Sequence, residues 1–426
     1  MVEQKDWVVD MAAKLQSYDP VQESIAWKSR SIYKVPSNLI NLTKTNAYTP
    51  EMVSFGPYHH GRPQLMPMEE HKQRALFHFL RRTSITLEAV VDCIKQVEQQ
   101  LVNHYDEPPA VAGPSSFAKM MVIDGCFMLE ILRMRKGTGD YSPSDPIFSS
   151  HGMLYALPYI KRDMLMLENQ IPLLVLDRLV AVETGKPRSE EGHVHRLVTD
   201  FFSLRPLSRG GGEGLHVLEV FRRGLIEGRP AGLPHPPSEE PELIVRSAVE
   251  LYEAGIRFKK SKTRSLRDID FKHGVLRLPR ITVDDTAESM LLNLMAYERM
   301  HVGAGNEVSS YVSFMDTLID SAKDVAMLQS KGIILNALGS DKAVAKLFNE
   351  LSREVTIDPS SKLGEVHRRL GRYSTQKHNM WRANLIHTYF RNPWAILSLV
   401  AAVVLLALTI AQTVYSALGY YHDLKK

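Results

Sequence analysis

The amino-acid sequence predicts a mainly α fold: one large helical domain with a minor β-hairpin, followed by a single C-terminal transmembrane helix. Three observations predict this class. Apolar residues recur at helical spacing along much of the 426-residue chain, one short stretch alternates like paired strands, and an uncharged apolar run lies near the end. Hydrophobic residues make up 44% and charged residues 23%, a balance typical of folded globular proteins.

Apolar periodicity places the helices in chain order. Residues up to about Glu69 are predicted to be irregular, Pro108 and Pro109 end the first long helix, and Pro172 kinks the third. Asp285 with Glu288 three residues later resembles a capping box at the start of a later helix. The predicted helices cover about residues 76–105, 116–135, 159–182, 242–255, 285–301, 308–330, 341–354 and 363 onward.

Two stretches depart from the helical pattern. Residues 183–241 contain nine Gly and seven Pro, which predicts an irregular surface stretch interrupted by short helices around 193–203 and 217–225. Binding specificity is expected there or in the loop 137–148, with a passive surface insertion as the alternative. Alternation at Ile269 and Phe271, a turn at 272–274 and the apolar run 275–278 predict the hairpin.

The C-terminal segment predicts a membrane anchor. No charged residue occurs from Asn392 to Tyr421, and Trp394–Leu418 would form a helix of 25 residues, about 37 Å long, against a hydrocarbon core of about 30 Å. A buried core helix is the alternative. The residues assigned to the anchor are Pro393, Trp394, Leu397, Leu405, Leu406, Tyr415 and Leu418.

The predicted organisation is a soluble helical domain at 1–391, the anchor at 392–418 and a short tail at 419–426. The N-terminus lacks a signal peptide, and Lys and Arg are more frequent before the span than after it, so the N-terminal domain is expected in the cytosol. The length of the span favours the plasma membrane, with the endoplasmic reticulum as the alternative.

Composition and motifs argue against several functional classes. The net charge of +4 is too small for nucleic-acid binding without a concentrated patch. The motifs G-x-S-x-G, H-E-x-x-H, C-x-x-C and the phosphate-binding P-loop do not occur, so no cofactor is expected and no catalytic residue is assigned. The two cysteines, Cys93 and Cys126, suit a reducing compartment, and Cys126 lies on an apolar helix where a buried structural thiol is favoured over a nucleophile.

Two further groups of residues could bind a cation. His59 and His60 could bind a metal together with His71 or Glu70, but adjacent histidines usually point apart, so packing or turn roles are favoured. The second group consists of three aspartates spaced by four residues, which should share one helix face. A solvated or ion-paired surface is the favoured interpretation of this face. This second group is Asp316, Asp320 and Asp324.

A basic run follows the predicted helix that ends at Gly255. It could dock on anionic lipid, and a solvated loop is the favoured alternative. The run comprises Arg257, Lys259, Lys260, Lys262, Arg264 and Arg267.

Several motifs together resemble those of the plant family called "domain of unknown function 247". They are YKVPSNL (33–39), YTPEMVSFGPYHHG (48–61), MEEHKQRAL (68–76), MVIDGCFMLEIL (121–132), DMLMLENQIPLLVL (163–176), LPRITVDDT (278–286), LLNLMAYER (291–299), SYVSFMDTLIDSAKDVAML (310–328) and NPWAILSLVAA (392–402). The resemblance covers almost the whole chain and implies a plant protein with one helical domain and a C-terminal span. It implies no catalytic residues, and some grass members of the family resemble the pollen determinants of self-incompatibility.

The function expected from these observations is recognition or signalling by a non-enzymatic, tail-anchored plant membrane protein, with self-incompatibility-like pollen recognition as one form. Its expected partners are the lipid bilayer and an unknown protein. One alternative is an enzyme of unknown class, which a deep pocket with Asp124 or Glu168 near a histidine would favour. The other is a lipid-tethering scaffold that uses the basic run.

Overall fold

Helices form most of the chain in the computed structural model, which describes residues 2–43, 46–107, 114–134, 140–186, 192–206, 214–227, 245–353, 355, 357, 361–376, 381 and 393–423. The helices are α1 (Val2–Ser17), α2 (Pro20–Ser29), α3 (Ser37–Thr43), α4 (Met66–Thr83), α5 (Leu87–Lys95), α6 (Glu98–Asn103), α7 (Pro114–Arg133), α8 (Ser150–Tyr155), α9 (Leu157–Asp163), α10 (Leu173–Thr184), α11 (His193–Phe201), α12 (Val217–Ile226), α13 (Ala248–Glu253), α14 (Ala287–Met300), α15 (Glu307–Leu318), α16 (Ala322–Ser330), α17 (Asp341–Leu351), α18 (Lys362–Thr375) and α19 (Pro393–Asp423). A short 3₁₀ helix, Pro63–Leu65, precedes α4.

Two small sheets lie among these helices. The first has the order β1-β3-β2, in which β1 (Arg257–Lys260) runs parallel to β3 (Val275–Leu278) and β2 (Asp270–Lys272) runs antiparallel to it. The second pairs β4 (Ile281–Val283) with β5 (Ile334–Asn336) in parallel. The predicted hairpin is therefore confirmed as β2–β3, whereas the sequence analysis missed three strands that pair with residues distant in sequence.

Helix α7 lies at the centre of the core, as its nearly continuous apolar sequence predicts. Phe127, Met128 and Leu129 are fully buried, and the helix packs against α4, α5 and α10. Gly125 allows α10 to approach closely, because a Cβ at this position would lie 2.6 Å from the nearest carbon of the Val175 side chain. Close packing at this density makes the helix contact sensitive to added volume.

Two irregular segments, residues 51–59 and 164–172, run through the core beside these helices. A buried irregular backbone must find hydrogen-bond partners for its N–H and C=O groups. The carboxylate of Asp163 accepts from three successive backbone N–H groups, at 3.1, 2.7 and 2.9 Å, and Asn169 binds the same segment. Burial raises the pKa of Asp163 to about 6, although these three donors act in the opposite direction.

Gln170 connects the second irregular segment to neighbouring elements. Its amide nitrogen donates to the carbonyls of Met164 and Met166, both at 2.7 Å, and its amide oxygen accepts from the N–H of Leu218 at the start of α12. Its own carbonyl accepts from the hydroxyl of Tyr105 at 3.1 Å. Side chains thus supply the hydrogen bonds that a helix or sheet would otherwise provide.

A buried ion pair links α4 to α7. The ammonium of Lys72, which has no exposed surface, donates to Asp124 at 2.7 Å, to Glu69 at 2.6 Å and to Ser54 at 3.2 Å. Asp124 also accepts from the N–H of Gly56 at 2.8 Å, which connects the pair to the first irregular segment. Burial raises the pKa of Asp124, and the charge of Lys72 opposes that shift.

His216, which caps the N-terminus of α12, is buried in neutral form. Its Nε2–H donates to the carbonyl of Ser31 at 2.9 Å, and its Nδ1 accepts from the N–H of Glu219 at 3.3 Å. The ring packs edge-on against Tyr297 of α14. Burial lowers the pKa of His216 to about 3, and burial also lowers the pKa values of His104 and His301, whose charges would act on it.

Several predicted helices are interrupted in the structure. The helix predicted for 76–105 consists of α4, α5 and α6, with Ser84 in a left-handed conformation at φ 56° after α4. The helix predicted for 159–182 lies in α9 and α10, and Pro172 caps the start of α10 instead of kinking a helix. Apolar periodicity continues across these breaks because each short helix faces the same core.

The stretch 183–241 is also corrected in part. The short helices predicted within it form as α11 and α12, but they belong to the core: Val198, Phe201, Val217 and Leu218 are almost completely buried. The expectation that the whole stretch lies at the surface was wrong, because each of these short helices has a strongly one-sided apolar face. Residues 187–191, 207–213 and 228–244 lie outside the described residues.

The transmembrane part of the predicted fold class was wrong. The C-terminal segment does form a helix, α19, but no helix among the described residues combines the length and apolarity needed to cross a membrane. A span requires about 20 consecutive, predominantly apolar residues, so helix formation alone does not satisfy the requirement. The fold class is therefore mainly α with small sheets, and the predicted cytosolic and plasma-membrane locations stay predictions.

Replacing Lys72 with Met should destabilise the protein by about 3–5 kcal/mol, because it leaves the buried carboxylate of Asp124 without its counter-ion. The free energy of unfolding in urea measures this change. Lys119→Met, at an exposed position of α7, is the matched control and should change stability by less than about 0.5 kcal/mol. Equal stabilities of the two variants would show that the ion pair contributes nothing.

Replacing His216 with Gln should make stability less dependent on pH. The unfolded chain takes up a proton at a histidine near pH 6.5, whereas the folded protein resists it down to about pH 3. This contribution to stability is therefore complete above about pH 6.5 and is lost as the pH falls. Between about pH 7 and pH 5, wild type should lose about 2 kcal/mol that His216→Gln retains, measured by urea unfolding. Parallel pH profiles for the two proteins would contradict the assignment.

Candidate functional site on the three-stranded sheet

The three-stranded sheet gathers basic side chains on its outer face. In the strand register Lys259 of β1 lies opposite Arg277 of β3, and Arg257 lies opposite Val275, which in turn faces Lys272 of β2. Successive residues of a strand point to opposite faces, so Arg257, Lys259, Lys272 and Arg277 share one face. All four are exposed. These four residues are called the basic face.

The inner side of the sheet explains why this face points to solvent. Phe258, Leu276 and Phe271 form one row across the three strands, and each is at most 6% exposed. A shift of the register by one residue would exchange buried and exposed side chains, so this apolar row determines which residues are exposed. Tyr373 of α18 packs edge-on against Phe271 and supports the sheet from below.

The loop that leaves β1 extends the basic surface. Lys260 at the end of the strand and Lys262 and Arg264 in the loop are exposed; these three residues are called the basic loop. The loop is ordered by hydrogen bonds from the N–H and hydroxyl of Thr263 to Asp268, at 3.1 and 2.6 Å. Although burial acts to raise the pKa of Asp268, the hydrogen bonds from Thr263 hold it below its ordinary value.

Arg267, the last residue of the predicted basic run, does not belong to this surface. Its guanidinium pairs with Glu307, which also binds Arg222, and Arg222 contacts Glu298 at 2.6 Å. Glu298 accepts from the N–H groups at the start of α15, so the network links α12, α14 and α15 to the loop before β2. Burial acts to raise the pKa of Glu307, but its two arginines hold it below the ordinary value.

The assembled surface differs from the predicted run in two ways. The sequence analysis included Arg267, which is paired, and missed Lys272 and Arg277, which the strand pairing brings beside Lys259. Alternation along the predicted hairpin could have identified Lys272 and Arg277 as outward-facing, but not their neighbour on β1. Of the basic face and basic loop, Lys272 has an ion-pair partner within the described residues, Asp270 at 3.1 Å. The other six cations of this surface have no ion-pair partner within the described residues.

His59 and Glu168 form the acid–base pair that would favour an enzyme. Their Nε2 and Oε2 atoms lie 3.2 Å apart, although neither ring nitrogen has hydrogen-bond geometry to a partner in the described structure. Glu168 also accepts from the N–H of Val35 at 2.7 Å, and His59 is only 1% exposed. The buried His59 ring offers a substrate almost no accessible surface, so we interpret the role of the pair as structural.

A small crevice lies elsewhere, between α3, α14 and α17. Its volume is about 50 Å³, and its lining includes Leu39, Leu292, Leu351 and the exposed Arg299 and Arg353. Pockets for drug-sized ligands usually measure about 300–1,000 Å³, so this crevice accommodates little more than a few solvent molecules or one small side chain.

The other candidate residues do not converge. His60 is exposed while His59 is buried, and no group of three or more His, Cys, Asp or Glu side chains in the described parts of the chain could hold a metal ion. Both cysteines are buried free thiols; burial raises the pKa of Cys93 to about 11 and raises the pKa of Cys126 well above its ordinary value. A thiol with a raised pKa is a poor nucleophile at neutral pH.

The three aspartates predicted to share a helix face are separated by the break between α15 and α16. Asp324 is buried in a capping box with Ser321 and accepts from the N–H of Val249 at 2.9 Å. Asp316 is half-buried near the end of α15, and Asp320 is exposed at the break. The predicted capping box at Asp285 was also wrong, since α14 begins after Thr286 without a side-chain cap.

The residues predicted for the anchor lie on α19. Leu397, Leu405, Leu406 and Tyr415 are 59–77% exposed. The side chains of Pro393, Trp394 and Leu418 lie outside the described residues.

Comparisons with known proteins identify relatives along nearly the whole chain. The family model described as "plant protein of unknown function", domain of unknown function 247, matches residues 32–408. The UPF0481 protein At3g47200 of Arabidopsis thaliana is 30% identical, over 95% of this chain and 89% of the relative. The putative UPF0481 protein At3g02645 of the same plant is 23% identical, over 95% of this chain and 93% of the relative. No solved structure matches the chain.

Proposed function

We propose that this chain, which belongs to the plant family "domain of unknown function 247", is a non-enzymatic recognition protein that docks on an anionic membrane surface through its basic face and basic loop. One observation carries the proposal. Seven exposed Lys and Arg side chains lie on one small sheet and the loop beside it, and the buried apolar row on the inner side of the sheet turns the four residues of the basic face outward. Each such residue near an anionic bilayer contributes about 1 kcal/mol of binding.

The chemistry of the surface favours lipid over a protein partner. The core of a protein interface is usually depleted of Lys and built around aromatic or aliphatic anchors. The outer face of this sheet carries four cations, Asp270 and half-buried Val275, with no aromatic side chain. Flexible, exposed cations of this kind suit a fluid layer of negatively charged headgroups, which needs no fixed shape complementarity.

Docking on a membrane would support the recognition or signalling role predicted from the sequence. A protein held against a bilayer meets membrane-bound partners at high local concentration, so a weak second contact becomes effective. The identity of the protein partner and a role in self-incompatibility stay predictions from the family resemblance.

The full-length protein should bind vesicles that contain phosphatidylserine more tightly than neutral phosphatidylcholine vesicles, and added salt should weaken the difference. The triple variant Lys260→Gln, Lys262→Gln, Arg264→Gln should lose about 100-fold in partitioning to the anionic vesicles, since three contributions of about 1 kcal/mol are removed. Co-sedimentation measures both effects, with the difference between the two vesicle types as the readout.

The matched control is Lys323→Gln, Lys342→Gln, Lys346→Gln, which removes three exposed lysines from α16 and α17 and the same net charge. It should bind like wild type. Equal losses in the two triple variants would show that net charge, not the basic loop, drives binding. Wild-type binding to polyglutamate beads but not to anionic vesicles would assign the surface to an acidic protein and overturn the membrane proposal.

A further inference from the structure

The basic face contains a like-charge pair that the fold itself creates. Lys259 and Arg277 are directly opposite each other on the parallel strands β1 and β3, which lie about 4.8 Å apart. Like charges in directly opposite positions destabilise a sheet. Neither side chain has a carboxylate partner within the described residues, and both are exposed.

Neighbouring residues relieve this repulsion only in part. Asp270 of β2 lies opposite Arg277 on its other side, but its carboxylate contacts the ammonium of Lys272 at 3.1 Å. Arg257 occupies the same face as Lys259, two residues earlier on the same strand, and adds a third positive charge. The three unpaired cations therefore surround a small area of the sheet surface.

The strands cannot slide to separate the pair. Phe258, opposite Leu276, is buried immediately before Lys259, and Leu276 immediately precedes Arg277, so both positions of the pair are tied to the buried row. A change of register would expose these apolar side chains. A negatively charged group that contacts both side chains at once would neutralise the pair.

We propose that Lys259 and Arg277, with Arg257 beside them, bind the phosphomonoester of a polyphosphorylated lipid headgroup; this inference rests on the membrane docking proposed above. A phosphomonoester carries a charge of about −1.5 to −2 at neutral pH and three acceptor oxygens. A guanidinium can bind two of those oxygens, and an ammonium supplies a point charge. Phosphatidylserine offers a phosphodiester and a carboxylate with one negative charge each, and the ammonium of its serine headgroup opposes the cations.

The test compares vesicles at equal total lipid charge. Full-length wild type should bind phosphatidylcholine vesicles containing phosphatidylinositol 4,5-bisphosphate at least about tenfold more tightly than vesicles whose charge comes from phosphatidylserine. Lys259→Thr and Arg277→Thr should each abolish this preference and weaken binding to phosphatidylserine vesicles only about fivefold, the contribution of one exposed cation. Thr suits an exposed strand position, so both variants should fold.

Lys260→Thr is the matched control, because Lys260 follows Lys259 on the same strand but its side chain points to the opposite face of the sheet. It should weaken binding to both vesicle types equally and keep the preference. A second readout is thermal stability without lipid: Lys259→Thr should be at least as stable as wild type, because it removes the repulsion. A clear loss of stability in this variant would contradict the like-charge argument.

The outcomes separate this inference from the docking proposal. No preference at matched charge, or a preference that survives in both Thr variants, overturns the phosphomonoester site and leaves docking intact. Failure to bind any anionic vesicle overturns the docking proposal itself. Binding of free inositol 1,4,5-trisphosphate without a preference for the corresponding vesicles would identify a soluble phosphate ligand and overturn the lipid assignment.

Discussion

The structure depends on hydrogen-bond partners for the N–H and C=O groups of backbone segments that are buried but form neither helix nor strand. Residues 51–59 and 164–172 pass through the core without helix or strand hydrogen bonds, and an unpaired buried N–H or C=O would cost about 1–3 kcal/mol. Asp163, Asn169 and Gln170 replace the missing ladder with side-chain hydrogen bonds. Four helices pack around these two segments: α4, α7, α10 and α12. The polar residues that bind the segments therefore organise a mainly apolar core.

The same requirement involves three of the motifs that carry the family resemblance. The stretches 48–61 and 163–176 contain the two irregular segments and the side chains that bind them, and 121–132 contains Asp124, which connects Lys72 to Gly56. The polar residues of these motifs form buried hydrogen bonds. His59 with Glu168 belongs to this framework as well, since Glu168 holds the N–H of Val35.

The proposed docking surface follows from the opposite situation, in which most charges have no carboxylate partner within the described residues and are exposed to water. Arg267 illustrates the difference. Its guanidinium pairs with Glu307, which also binds Arg222, whereas its neighbours in the basic run have no ion-pair partner within the described residues. Burial of Phe258, Leu276 and Phe271 beneath the sheet is what keeps Lys259 and Arg277 in opposition. Apolar packing on one side of a sheet thereby determines charge on the other.

The sequence by itself determined the mainly helical class, the position of α7, the β2–β3 hairpin and the family, because these depend on local periodicity and on ordered motifs. It did not reveal the breaks at Ser84 and Ile319 or the burial of α11 and α12, since short helices facing one core preserve the periodicity of a long one. The apolar C-terminal run also predicted a transmembrane span at α19, which the described residues do not support. Only tertiary structure could place Arg277 beside Lys259 and Glu307 beside Arg267, because pairing between distant strands and helices depends on which apolar faces pack together, and that is a property of the whole core.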